Sequence, residues 1–212
     1  MSGLLVKEFL YVRRQAKVLL LMVAFFAVFF LLLNPESRSV KSVTSALMSI
    51  MVMLTVILTI NTFAYDELAK WDGYVLSLPI AKDCIVGAKY LFTVILSAAG
   101  ALVTVLAGEA ASGGHLKPED LAAACAGACA SPLLLCSILL PMFYKFGLQK
   151  ARVAFVAVFL IPMVAMPLIE KSGFSVSGAQ WMLLLKLSPV ILIAVVAASF
   201  LISCKIMEHK EV

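Results

Sequence analysis

Asp66, Glu67, Lys70, Trp71 and Tyr74 fall within nine residues of one another, between two long apolar runs. Read as a short helix, this segment places Leu68, Trp71, Val75 and Leu78 on one face. Asp66 and Lys70 then form an acid-to-base i,i+4 pair on the other face. Gly73 weakens the helix. Pro79 suits a first helical position and starts a further helix with Asp83 in its first turn. An aromatic anchor beside several carboxylates in a compact elbow has the makeup of a docking knob for another protein. The alternative is a solvated loop whose Trp71 rests at a lipid–water boundary as an ordinary aromatic-belt residue.

A second group of polar residues forms a stripe. Thr44, Ser45, Met48, Ser49, Thr55, Thr59 and Thr62 lie within about 140° of a helical wheel at 3.6 residues per turn. Hydroxyls with a soft methionine could line a path for amphipathic molecules. The alternative is helix–helix packing, with each hydroxyl bonded to the carbonyl one turn back. The remaining reactive groups are isolated. Cys125 and Cys129 are spaced i,i+4 but lack acidic or His partners, and His115 and His209 are solitary. The chain has no G-x-x-x-x-G-K-[S/T], H-E-x-x-H or G-x-S-x-G motif, so no catalytic role, cofactor or metal is expected in it.

The elements that carry these residues are apolar. Hydrophobic residues make up 63% of the 212 and charged ones 14%, against roughly 25% charged in a soluble domain. Six charge-free stretches of 17 to 24 residues cover 18–35, 42–65, 90–108, 121–144, 153–169 and 187–204. About 20 apolar residues in a helix cross a bilayer core, and helices satisfy their own backbone there. The sequence therefore predicts an all-α, multi-pass protein of the cell membrane, a single transmembrane domain over 1–212. Residues 66–83 form a coupling segment between spans two and three. The first span is too long in its apolar run for a cleaved signal peptide and lacks a small-x-small site after Leu33. Span four offers a small-residue surface over 122–130, and Pro162 and Pro167 bend span five.

Orientation follows from basic residues. One side holds Lys7, Arg13, Arg14, Lys17, Lys70, Lys82, Lys89, Lys145, Lys150, Arg152, Lys205 and Lys210; the other holds Arg38, Lys41, Lys117, Lys171 and Lys186. Twelve against five puts both termini in the cytoplasm. Anionic membrane lipid accounts for the net charge of +5 and no nucleic acid is needed. None of the five cysteines lies in an outward loop, so no disulfide framework is implied. Before the first span, Leu5, Phe9 and Val12 oppose Lys7, Tyr11 and Arg14, which reads as an interfacial elbow helix over residues 1–16; the alternative is a plain helical extension of the first span.

Asp66-Glu67, Trp71, Tyr74, Ser77-Leu78-Pro79-Ile80 and Lys89-Tyr90-Leu91 resemble the region after span two in small ABC-2 type exporter permeases. The subgroup resembled has about 200 residues and six spans, and includes subunits of phenol-soluble-modulin and related peptide exporters. Length and topology match over the whole chain; the specific motif is confined to about residues 61–91. The resemblance implies a permease dimer, homo- or heteromeric, with two separate ATPase subunits that hold ATP and Mg. It also implies that the elbow seats in a cleft of the ATPase. Trp71, Tyr74 and Leu78 would pack there and Asp66 and Glu67 would make polar contacts. A rival function is a membrane immunity or sensor protein that binds a toxic peptide without moving it; such a protein has no need of a docking knob.

The basic bias makes a direct prediction. Single cysteines at Ser112 and Ser175 should react with an impermeant thiol reagent in intact cells, and one at Ser77 should not. Labelling at Ser77 alone would invert the orientation.

Overall fold

The computed structural model describes residues 2–33, 40–76, 81–112, 118–171 and 178–209, with side chains for part of these. Among them every regular element is helical: α1 (Ser2–Leu33), α2 (Val40–Leu68), α3 (Trp71–Leu76), α4 (Lys82–Ser112), α5 (Pro118–Lys171) and α6 (Gly178–Glu208). Four segments among the described residues are long and apolar enough to cross a membrane: Ser45–Leu68, Lys82–Ala110, Ala122–Gly147 and Ser188–Glu208. The expected span at 18–35 falls in α1 as far as Leu33, beyond which it lies outside the described residues, and that at 153–169 falls in α5; most of their side chains also lie outside the described residues.

The chain divides into two compact units, one reaching Cys136 and the other running from Ser137 to Glu211. In the first, α2 packs chiefly against α4, α1 lies against both, and α3 contacts α2. Val56, Leu58, Val86 and Phe92 are buried at its centre, whereas Leu21, Phe25, Leu102 and Leu106 are exposed. An apolar exterior this extensive suits a lipid solvent rather than water. In the second unit the Ser199 hydroxyl donates to the Ser137 carbonyl, which joins α6 to α5.

Three boundaries differ from the sequence reading. First, α1 is one uninterrupted helix rather than a separate elbow over 1–16. No proline or glycine interrupts it after Gly3, and its polar face turns inward. Glu8 is buried, Tyr11 stacks on Tyr65 with centroids 5.2 Å apart, and Gln15 accepts from Asn61 at 3.1 Å. The face assigned to water is in part a packing face. Burial and then the Asp66 carboxylate raise the Tyr11 phenol above its ordinary pKa.

Second, the coupling segment is not one helix. Helix α2 runs through Tyr65-Asp66-Glu67 to Leu68, and the chain then turns at Ala69-Lys70 before α3 begins. Lys70 takes a left-handed φ of 49°; its N–H bonds to the Glu67 carbonyl at 3.1 Å. This places Lys70 beyond the helix and removes the expected i,i+4 pair with Asp66. Third, the connection after span four contracts to Gly147 (φ 73°, ψ 172°), a break inside α5. That conformation is essentially restricted to glycine. Helix α4 is described from Lys82, with Asp83 in its first turn as read; Pro79, the expected start, lies outside the described residues.

Close approach of α2 and α4 centres on Gly100. A Cβ there would sit 3.5 Å from the Met51 Cβ and 3.9 Å from the Thr55 Oγ1, ordinary contact distances. Gly100→Ala should therefore keep or raise the melting temperature, since a mid-helix glycine costs about 1 kcal/mol against alanine. Gly100→Leu should lower stability by about 1–3 kcal/mol through overpacking. Thermal unfolding in mild detergent reads both.

A buried charge cluster beneath the short helix α3

Lys7 and Glu8 from α1, Asp66 from the last turn of α2 and Lys89 from the second turn of α4 meet in one cluster. The Lys89 Nζ lies 2.6 Å from Asp66 Oδ2, 3.0 Å from Glu8 Oε1 and 3.1 Å from the Thr62 Oγ1. These three acceptors match the three N–H donors of an ammonium group. Its charge also lies 4.4 Å from the centroid of the Phe63 ring. The Lys7 Nζ donates to Asp66 Oδ1 at 2.7 Å and approaches Glu8 Oε1 at 3.1 Å. Asp66 thus receives one lysine on each oxygen, while both lysines share one oxygen of Glu8. Glu8, only 2% exposed, leaves its Oε2 without a partner among the described residues.

Charge balance explains why the cluster holds. Two acids and two bases sum to zero, and each ion removed from water finds an opposite charge. Helix polarity adds to this. Asp66 sits at the negative end of the α2 dipole, and no basic residue of α2 occupies its last turn. Lys7 and Lys89 supply that positive charge from neighbouring helices. The result brings the N-terminal ends of α1 and α4 and the C-terminal end of α2 to one level. No acid–base–nucleophile set is formed, so the chemistry of the cluster is that of an electrostatic lock.

The lock reaches α3 through Lys7. Its ammonium lies over the Trp71 ring, 4.4 Å from the centroid, a cation–π contact. Trp71 in turn leans on Tyr74 with ring centroids 5.3 Å apart. Val75 is buried against the bundle side, whereas Glu67, Tyr74 and Leu68 are exposed, Leu68 to 81%. The structure therefore separates the residues read together as a docking knob. Asp66 is internal, Trp71 is half-buried, and Glu67, Lys70 and Tyr74 are outward; Leu78 lies outside the described residues.

The hydroxyl stripe of α2 is brought largely against its neighbours. Thr55, Thr59 and Thr62 are buried and donate to the carbonyls of Met51, Thr55 and Thr59, each at 2.9 Å. Ser49 bonds to the Ser45 carbonyl at 3.0 Å, and both serines are exposed. The Met48 methyl occupies the space where a Cβ on Gly127 would stand. The side chain of Thr44 lies outside the described residues. The bonding pattern is that of helix packing, with donors occupied within the helix.

These observations describe a membrane-embedded helical subunit with a short outward helix anchored to its bundle. A family model described as ABC-2 family transporter protein matches residues 3–208. The chain belongs to the ABC-2 transporter family. Comparisons with curated proteins and with solved structures give no match. As an ABC-2 membrane component the chain is a permease part of an ABC transporter and an integral membrane protein. Permeases of this family are generally non-enzymatic and associate with an ABC ATPase on a separate subunit.

The sequence reading of this permease passed over Glu8, counted Lys7 and Lys89 as topology markers, and otherwise placed Lys7 on a solvated face and Lys89 in the motif. A signal was present. Lys89, Thr93, Ser97, Gly100 and Thr104 recur at spacings of three and four, a polar stripe on α4 that meets the one on α2. Thr93, Ser97 and Thr104 are all buried.

Removing one member of the cluster leaves an uncompensated buried charge. Lys89→Met should destabilise the permease by about 3–5 kcal/mol. Adding Glu8→Gln to it should recover part of that loss, because the orphaned acid is neutralised. Arg14→Met, at an exposed site, should change little. Thermal unfolding in detergent, following Trp fluorescence, distinguishes a coupled lock from independent surface charges: additive losses in the double variant would exclude it.

Proposed function

We propose that this permease is the membrane-spanning half of an ATP-driven exporter for peptides or other amphipathic molecules, with both termini cytoplasmic. It belongs with the small six-span subgroup. Two permease chains and two ATPase subunits make the working unit, and ATP and Mg are held by the ATPases. The observation that carries this reading is α3, a helix of six residues that lies between α2 and α4 in the chain and is tied to α1, α2 and α4 through Lys7, Asp66 and Lys89. Family membership supplies the ATPase partner, and the twelve-to-five basic bias supplies the side on which α3 meets it.

The mechanism follows from the anchoring. Closure of the ATPase dimer moves α3, and ATP can bias the permease only through its differential affinity for two arrangements of these helices. A force on α3 passes from Trp71 to Lys7, then to Asp66 on α2 and Glu8 on α1, and on to Lys89 on α4. Glu67, Leu68 and Tyr74, with the exposed part of the Trp71 ring, form the outward contact, and Asp66 acts as the internal anchor rather than as an ATPase ligand. Substrate handling is assigned to the α2 stripe only where it is exposed, at Ser45 and Ser49.

Two classes of variant should then behave differently. Trp71→Ala and Glu67→Lys should weaken binding of the copurifying ABC ATPase to the nanodisc-held permease. For Trp71→Ala the loss should be about thirtyfold, since interface aromatics lose about 2 kcal/mol and 1.4 kcal/mol is tenfold. Both should insert and dimerise normally. Thr55→Val should leave ATPase binding intact. Full ATPase affinity and full export in both elbow variants would remove α3 as the coupling element.

A further inference from the structure

The second unit carries a groove whose walls and mouth differ in chemistry. Between the last turns of the α5 span and of α6 lies a cavity of about 510 Å³, within the roughly 300–1,000 Å³ typical of small-molecule sites. Its walls are Pro141, Met142, Phe146, Ile202 and Ile206. Its polar rim is basic: Lys145, Lys205 and His209. Neither lysine has an ion-pair partner among the described residues. Lys145 lies 5.3 Å from the Phe146 ring centroid, which holds its ammonium beside the apolar wall. The His209 Nδ1 is 2.9 Å from the Lys205 carbonyl. A carbonyl only accepts, so Nδ1 carries the proton and Nε2 is left as the ring's other polar atom.

We infer that this groove binds one anionic phospholipid of the adjoining leaflet, with acyl chain on Met142, Phe146, Ile202 and Ile206 and headgroup phosphate on Lys145 and Lys205. Three observations favour this occupant. The groove opens at the ends of two candidate spans, the level at which headgroups lie. Its apolar lining begins at Pro141 and Ile202, about one turn before Lys145 and Lys205 on the same helices, which fits an amphiphile and not a free ion. The charge is of one sign, and basic pockets between transmembrane helices are a recurring way to hold acidic headgroups. The inference is independent of the export function and of which leaflet the groove faces.

The test uses the full chain in mild detergent and titrates phosphatidylglycerol and phosphatidylcholine, reading bound lipid by native mass spectrometry. The unaltered chain should bind one phosphatidylglycerol at least tenfold more tightly than phosphatidylcholine. Lys145→Gln with Lys205→Gln should weaken phosphatidylglycerol about thirtyfold, from about 1 kcal/mol per lysine, and leave phosphatidylcholine unchanged. Lys17→Gln with Lys150→Gln, which removes the same charge elsewhere, should retain tight binding. Excess inorganic phosphate should not displace the lipid. The inference is overturned if both double variants bind phosphatidylglycerol alike, if phosphatidylcholine binds equally well, or if phosphate competes. It is equally overturned if the Lys145/Lys205 variant changes the oligomer mass and not the bound lipid, which would make the groove a contact between copies of the chain.

Discussion

Four charges withdrawn from water at the meeting of α1, α2 and α4 set the terms on which the first unit packs. An isolated buried ion is penalised by several kcal/mol, so each of Lys7, Glu8, Asp66 and Lys89 requires the others in place. That requirement orients three helices at once. It fixes the level of each along the bundle, because a shift by one turn would move a charge about 5.4 Å from its partners. Apolar packing between α2 and α4 is non-directional by comparison and would tolerate sliding. The ion cluster supplies register, and buried apolar residues such as Phe92, Val86 and Val56 supply cohesion.

The same constraint organises the polar residues farther along the helices. In a lipid solvent the exterior gains nothing from polarity, so Thr55, Thr59 and Thr62 on α2 and Thr93, Ser97 and Thr104 on α4 turn inward. Their hydroxyls bond to carbonyls of their own helices, which leaves small side chains in the seam. Gly100 completes this narrow surface and lets α4 approach the Met51 and Thr55 side of α2 closely. Exposed residues such as Leu102 and Leu106 face outward. The first unit is therefore polar at its α2–α4 seam and apolar at its periphery.

Among the described residues, two with positive φ interrupt the helices. Lys70 ends α2 without a glycine and allows α3 to fold back so that Trp71 lies over Lys7. A non-glycine residue there costs about 1–2 kcal/mol, a strain the surrounding contacts hold. Gly147 divides α5 where the sequence has a run of basic residues. The short break at Lys70 leaves little slack between α3 and the end of α2 against which it packs, as the proposed transmission of displacement requires.

Much was determined by the sequence alone. Six charge-free stretches of bilayer length, with no enzymatic motif, identified an all-helical membrane chain, and the residues around Asp66 and Trp71 identified its family. These features are local: hydropathy over about 20 residues and a motif of about 30 need no knowledge of neighbours. What the tertiary structure decided was partnership. Asp66 and Lys70 are one helical turn apart in sequence, yet the turn at Lys70 breaks the pair, and Asp66 instead joins Lys7 and Lys89, 59 residues before it and 23 after it. Likewise the basic face of α1 looked solvated, because a charge in a sequence carries no record of the opposite charge that will neutralise it. Burial of an ion depends on that distant partner, and only the folded chain brings the two together.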